Sequence, residues 1–355
     1  MTDRATLWQQ LQQAELVAGE LPIEPDNQQP AFFLRLLLGT SAWLSALFFC
    51  IFIATFFISV FSVTRNIWII GAILYGLSLW ISRIAKIPLF VQQAVMACSL
   101  AGQALIVYGL LESNANSQLS AVVILILEML LFALTGIRGQ RAGAIFIACA
   151  ALLWLLGQHA WLYALPVLSA ATAWLWLHRL RWQQQAAYLQ PATSGLTLAL
   201  CLTIFITLLA NSSELSWLRI SSNDWHAQLW TAAALSSVVC LVLAWQLIQQ
   251  SVQQPKLRYI AAFVSIGAAL VNLKMPGLAP LCLLLCVGVA RAYTRLIWLN
   301  LCCLVIYLLL YYYSLNETLL YKSLLLCVSG AVLLILYSLL IRVTGNLAVE
   351  HNHHA

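Results

Sequence analysis

From Leu34 onward the chain is a succession of apolar runs with short polar connections, near 34–60, 66–82, 89–111, 119–135, 142–157, 161–178, 195–210, 227–249, 258–273, 277–291, 296–314 and 318–341. A helix needs about 20 apolar residues to cross the hydrocarbon core of a bilayer, and these runs reach that length or fall somewhat short of it. Lipid offers no partner to a backbone N–H or C=O, so each crossing must satisfy its own amides, and single segments do that only as helices. The expected fold is all-α: a polytopic integral membrane helix bundle of about twelve transmembrane helices. Composition supports the same solvent, because 8% of the 355 residues are charged, whereas about a quarter are charged in a soluble domain.

Two pairs of runs, 142–178 and 258–291, are divided only by Gly157–Gln158–His159 and by Lys274–Met275–Pro276–Gly277. Read as single kinked or re-entrant elements, they would give ten spans. Charge decides between the counts. With twelve spans and the N-terminus inside, Arg4, Arg35, Arg83, Lys86, Arg138, Arg141, Arg179, Arg181, Lys256, Arg258, Arg291, Arg295 and Arg342 fall on the inner side, and only Arg65, Arg219, Lys274 and Lys322 fall outside. Basic residues gather in cytoplasmic loops, so the topology reads N-in/C-in. It comprises a cytoplasmic N-terminal segment over 1–31, the bundle over 32–342 and a cytoplasmic tail over 343–355. The net charge of +6 is scattered in ones and twos, which reads as topology signals and not as a nucleic-acid surface.

Short connections make consecutive helices antiparallel neighbours. Arg179–Gln185 and Gln249–Gln254 read as polar hinges, and the longest outer connection, Asn211–Trp225, sets Trp217 and Trp225 at headgroup level. Two halves of six spans are conceivable, as in many transporters, but no residue-level repeat relates them. The opening thirty residues are polar, so insertion is expected from the first membrane helix and not from a cleaved signal. Within them Thr6 can cap a short amphipathic helix carrying Leu7, Leu11, Ala14 and Val17, stopped by Gly19 and Pro22. Such a helix lies on the membrane, packs on the bundle or docks a partner. All ten cysteines sit in apolar runs, where they act as small hydrophobes. Cys282 and Cys286 share a helix face, yet no histidine or carboxylate completes a ligand set. No metal and no cofactor is expected.

Polar residues inside apolar runs are the candidates for function. Over Pro88–Glu112, Gln92, Ser99 and Gln103 fall on one helical face, beside a small-residue strip of Gly102 and Gly109. Glu128 stands near the centre of the next run, VVILILEMLLFAL, where a carboxyl must be neutral, hydrogen-bonded or reached by internal water. Counting about 1.5 Å per residue from each end puts Gln103 and Glu128 at similar depth, within a turn. A direct hydrogen bond would lock two helices together; the functional alternative is a site for proton or cation coupling. A second candidate is the outer-side helix break at Asn272, Lys274, Pro276 and Gly277, since broken backbone at membrane depth can line a cavity. The plainer reading is that Lys274 snorkels from a helix end. Asn300 lies in an apolar run, and Tyr307, Tyr311, Tyr312 and Tyr313 read as an interfacial belt. His159 and His178 stand near span ends, and the tail His351, His353 and His354 would make a poor metal site. Ser194–Gly195 and Ser329–Gly330 carry no GxSxG, and no GxxxxGK[ST] occurs, so hydrolase and ATPase motifs are missing.

Three stretches, LWQQLQQAELVAGELP, FFLRLLLGTSAWLSALFF and SLAGQALIVYGLLE, resemble a bacterial multipass family known as domain of unknown function 4401. The resemblance implies a component of the bacterial inner membrane, with membrane lipids and a small membrane-anchored protein of the GDYxxLxY type as partners. It brings no catalytic residues. The function expected is a non-enzymatic scaffold or accessory subunit of an envelope complex. The alternative is a secondary transporter or lipid-handling permease with Gln103 and Glu128 at a central site and the 272–277 break near an outer gate.

Overall fold

The structure is a computed structural model and describes residues 67–84, 88–112, 116–156, 160–211, 225–251 and 255–314, with scattered positions on either side. These hold ten α-helices: α1 (Ile67–Ser82), α2 (Leu89–Glu112), α3 (Ser117–Leu134), α4 (Arg138–Leu156), α5 (Ala160–Leu177), α6 (Ala186–Asn211), α7 (Trp225–Ser251), α8 (Pro255–Lys274), α9 (Leu278–Ala290) and α10 (Thr294–Ser314). The expected hinge at Arg179–Gln185 is a 3-10 helix between α5 and α6. Seven of the ten are long and apolar enough to cross a membrane, and Ile67–Ser82, Leu162–Leu177 and Leu278–Ala290 are shorter apolar helices. Each of the two ambiguous pairs resolves into two helices, α4 with α5 and α8 with α9. The N-terminal amphipathic helix, the first and last predicted spans, His159, the 211–225 connection and the histidine tail lie largely or wholly outside the described residues.

Local chemistry sets the boundaries. Asn116 caps α3 by accepting from the Gln118 N–H at 3.4 Å, and Thr135 ends it by returning its own N–H to Leu131 O at 2.9 Å. Thr197, Thr203 and Thr207 in α6 each donate to the carbonyl four residues earlier, which satisfies buried hydroxyls within one helix. Outward faces are apolar: Trp80, Trp154, Val167 and Phe263 are 65–75% exposed, an arrangement suited to lipid and not to water.

The neighbour relations differ from a simple meander. α1 packs on α2, α3 on α4, α5 on α6, α7 on α8 and α9 on α10, as short connections require. However, α4 meets α6 far more extensively than it meets α5, and α5 meets α7, while α6 and α7 share no comparable interface. Glycine explains the α4–α6 contact: a Cβ at Gly195 would come within 2.4 Å of Ala142 O, a backbone approach only glycine allows. One core joins α1 to α4 through Tyr75, Ile106, Leu131 and Ala144. A larger one spans α5 to α10 around Leu165, Leu200, Ile204, Leu284, Val287 and Tyr307.

Candidate functional site: a buried carboxyl and a broken helix

Glycine also builds the first site. A Cβ at Gly71 would come within 2.5 Å of Gly102 O, and one at Gly102 within 2.8 Å of both Gly71 O and Tyr75 N. Gly109 abuts Trp68 in the same way, at 2.9 Å. The predicted small-residue strip of Gly102 and Gly109 is therefore the crossing of α2 with α1, and it draws the α1 backbone against the polar seam. Ser99 and Gln103 are buried there, and Gln92, nearer the start of α2, is half-buried. Glu128 on α3 is completely buried.

The Gln103 side chain reaches the Glu128 carboxyl, as similar depth on adjacent antiparallel helices requires. Yet no hydrogen bond of ordinary geometry closes between them: both carboxyl oxygens and the Gln103 amide nitrogen are buried without a partner among the described residues. The sequence did not single out Tyr75, whose hydroxyl donates to Leu127 O, the carbonyl next to Glu128, and so ties α1 to α3 at this depth. The only sequence signal was a phenol midway along an apolar run, where an O–H must find an acceptor. An apolar groove of about 340 Å³ between α2, α3 and α4 is lined by Val107 and Ile124. Those residues lie one turn from Gln103 and Glu128, and Ser120, with an unpaired buried hydroxyl, lines the same groove. Neither Gln103 nor Glu128 lines the groove itself, and a carboxyl buried at this depth can hold a proton.

The second site is differently built. Asn272 is completely buried near the end of α8. Its Nδ2 donates toward Ala233 O, Ser236 Oγ and Ser237 Oγ of α7 at 3.1, 2.9 and 3.0 Å. Its Oδ1 accepts from Gly277 N at 3.0 Å and Ala279 N at 3.1 Å, so this side chain caps α9 from the preceding helix. Gly277 has φ +103°, a left-handed conformation, and a Cβ there would lie 2.6 Å from Ile204. Pro276 O accepts from the Tyr307 hydroxyl of α10 at 3.1 Å. Four of the break's polar groups are thus paired inside protein. Lys274 is exposed, with Nζ 5.0 Å from the centre of the Trp230 ring, a cation–π contact at a helix end.

The belt reading fails at Tyr307, which is completely buried; of that tyrosine cluster only Tyr313 is strongly exposed, at 76%. A phenol facing an unpaired carbonyl goes to the carbonyl. Asn300 is also buried, with Nδ2 donating to Leu296 O at 2.9 Å and Oδ1 unpaired. Ser194 donates to Gln190 O of its own helix, and His178 engages Trp174 O at 3.0 Å and stacks near its ring.

The model of the family described as "Domain of unknown function (DUF4401)" matches residues 31–343, nearly the whole chain. The chain belongs to this family. No curated protein and no solved structure matches it. The family match covers both the Gln103–Glu128 seam and the Asn272–Gly277 break. It makes this a membrane protein of a family whose function is unknown.

Proposed function

We propose that this protein is a non-enzymatic scaffold or accessory subunit of an envelope complex in the bacterial inner membrane, with twelve spans and both termini cytoplasmic. Its partners are membrane lipids and a small membrane-anchored protein of the GDYxxLxY type. The observation that carries the scaffold reading is the state of the helix break. In a permease the 272–277 segment would be an outer gate, free to exchange partners. Here Asn272 holds both the break and α7 through both ends of its amide, and Tyr307 holds the break from α10. Moving such a gate means breaking several buried hydrogen bonds at once. The orientation rests on the distribution of basic residues.

One observation favours a second reading, a carrier of protons or small polar solutes: the Glu128 oxygens and the Gln103 amide face one another unpaired. The two readings part in carboxyl infrared difference spectra of the lipid-reconstituted protein, wild type against Glu128→Gln. A scaffold with a sealed seam keeps the Glu128 carboxyl band in place across bulk pH. A band that titrates with bulk pH brings water to the seam, overturns the sealed-scaffold reading and directs the work to flux assays.

A further inference from the structure

The turn joining α3 to α4, at the arginine-rich end of the bundle, is surrounded by hydrogen-bond donors. We infer that this turn is a binding site for the phosphate of an anionic phospholipid headgroup. Arg83, just past α1, gives its Nε to Leu134 O at 3.3 Å, which places an exposed guanidinium beside the turn. Gly136 packs so closely on the end of α1 that a Cβ would lie 2.8 Å from Ser82 O. Arg138 opens α4, is exposed and has no partner among the described residues. Arg141, one turn on, lies 4.2 Å over the Tyr188 ring and donates Nη1 to Ala187 O at 2.9 Å.

An independent observation comes from Gln140, in the first turn of α4 and 3% exposed. Its Oε1 accepts from Thr135 Oγ1 at 2.6 Å, which holds the carboxamide against the turn, while its Nε2 is buried without a partner. The Arg141 Nε is likewise unpaired. The named side chains thus offer unmet donors, and the start of α4 adds the free N–H groups and partial positive charge of a helix N-terminus. Among the described residues the acidic side chains are Glu112, at the far end of α2, and Glu128, buried in the seam, so neither is a counter-ion for these guanidiniums.

Exposed guanidiniums, an unpaired buried amide N–H and a helix N-terminus in one place fit an anion. A lipid phosphate fits better than a free one, because the turn lies at the end of membrane helices and Trp80 and Tyr188 stand exposed near it, at 67% and 46%.

The test places the full-length protein in nanodiscs of phosphatidylcholine with graded phosphatidylglycerol and reads lipid retention by native mass spectrometry and melting by thermal shift. Wild type should show a saturable dependence on phosphatidylglycerol. Arg83→Gln with Arg138→Gln should raise the half-saturating fraction roughly thirty-fold, from about five-fold for each guanidinium near an anionic surface. Arg138 is exposed and makes no hydrogen bond or ring contact with a described residue, so Arg138→Gln alone should keep the fold and show the single step. Lys274→Gln, at the opposite end, should change nothing. Equal phosphatidylglycerol dependence in wild type and the Arg138→Gln variant would overturn the site. Stabilisation of protein in pure phosphatidylcholine by millimolar inorganic phosphate, lost in the same variant, would overturn the lipid and leave a free-anion site.

Discussion

Replacing Asn272 by alanine removes one side chain that serves three helices. Its Oδ1 satisfies the N–H groups of Gly277 and Ala279 at 3.0 and 3.1 Å, and both residues are buried. An unsatisfied buried donor costs about 1–3 kcal/mol, so two together cost roughly 2–6 kcal/mol if nothing relaxes. The Nδ2 bonds to α7 add less, because hydrogen bonds between membrane helices average about 0.6 kcal/mol. Ser236 and Ser237 do not depend on Asn272, since each hydroxyl also donates to Ala233 O. Local rearrangement recovers part of the loss, and the expected destabilisation is about 3 kcal/mol. It should be read as a shift in reversible unfolding by SDS in mixed micelles, against Val271→Ala, an adjacent position 44% exposed, as the control. Asn272→Asp keeps the acceptor for α9 but loses the donors to α7, and should fall between the two unless its charge is left unpaired. A loss below about 0.5 kcal/mol for Asn272→Ala, the level of an ordinary surface substitution, would refute the argument that this side chain closes the break.

Three further outcomes follow from particular contacts. Gly102→Ala places a Cβ 2.8 Å from the α1 backbone and should destabilise by about 2 kcal/mol in the same unfolding assay, whereas Gly76→Ala, with nothing within 4 Å, should be neutral or slightly stabilising. Tyr307→Phe removes the donor to Pro276 O and should cost about 1 kcal/mol, while Tyr313→Phe, on the exposed side of the same helix, should leave the unfolding midpoint unchanged. Arg179 lies 4.9 and 5.0 Å from the Trp176 and Tyr293 rings, so Tyr293→Leu should loosen the clasp between α5 and the α9–α10 turn by about 0.5–1 kcal/mol, and Tyr293→Phe should preserve it; protease cleavage after Arg179 in detergent reads the difference.

The sequence by itself determined that this is a membrane helix bundle, where most helices begin and end, and which polar residues lie deep in it. Those properties are local. An apolar run of sufficient length must be helical in lipid, the Pro276–Gly277 pair marks a boundary, and a residue's depth follows from its distance to the helix ends. Hence helical depth alone sets Gln103 and Glu128 opposite one another, as the structure has them. The tertiary structure decided how they meet, without a regular hydrogen bond, and which side chains close around the break. It also decided that α4 lies against α6 and that Tyr307 turns inward. The reason is that lipid is as apolar as a protein core, so the buried and exposed faces of these helices have nearly the same composition. What selects a neighbour is close backbone approach at a residue such as Gly195 or Gly71 and the pairing of a few hydroxyls and amides. Those depend on which two surfaces meet, and hydropathy along a single helix does not record that.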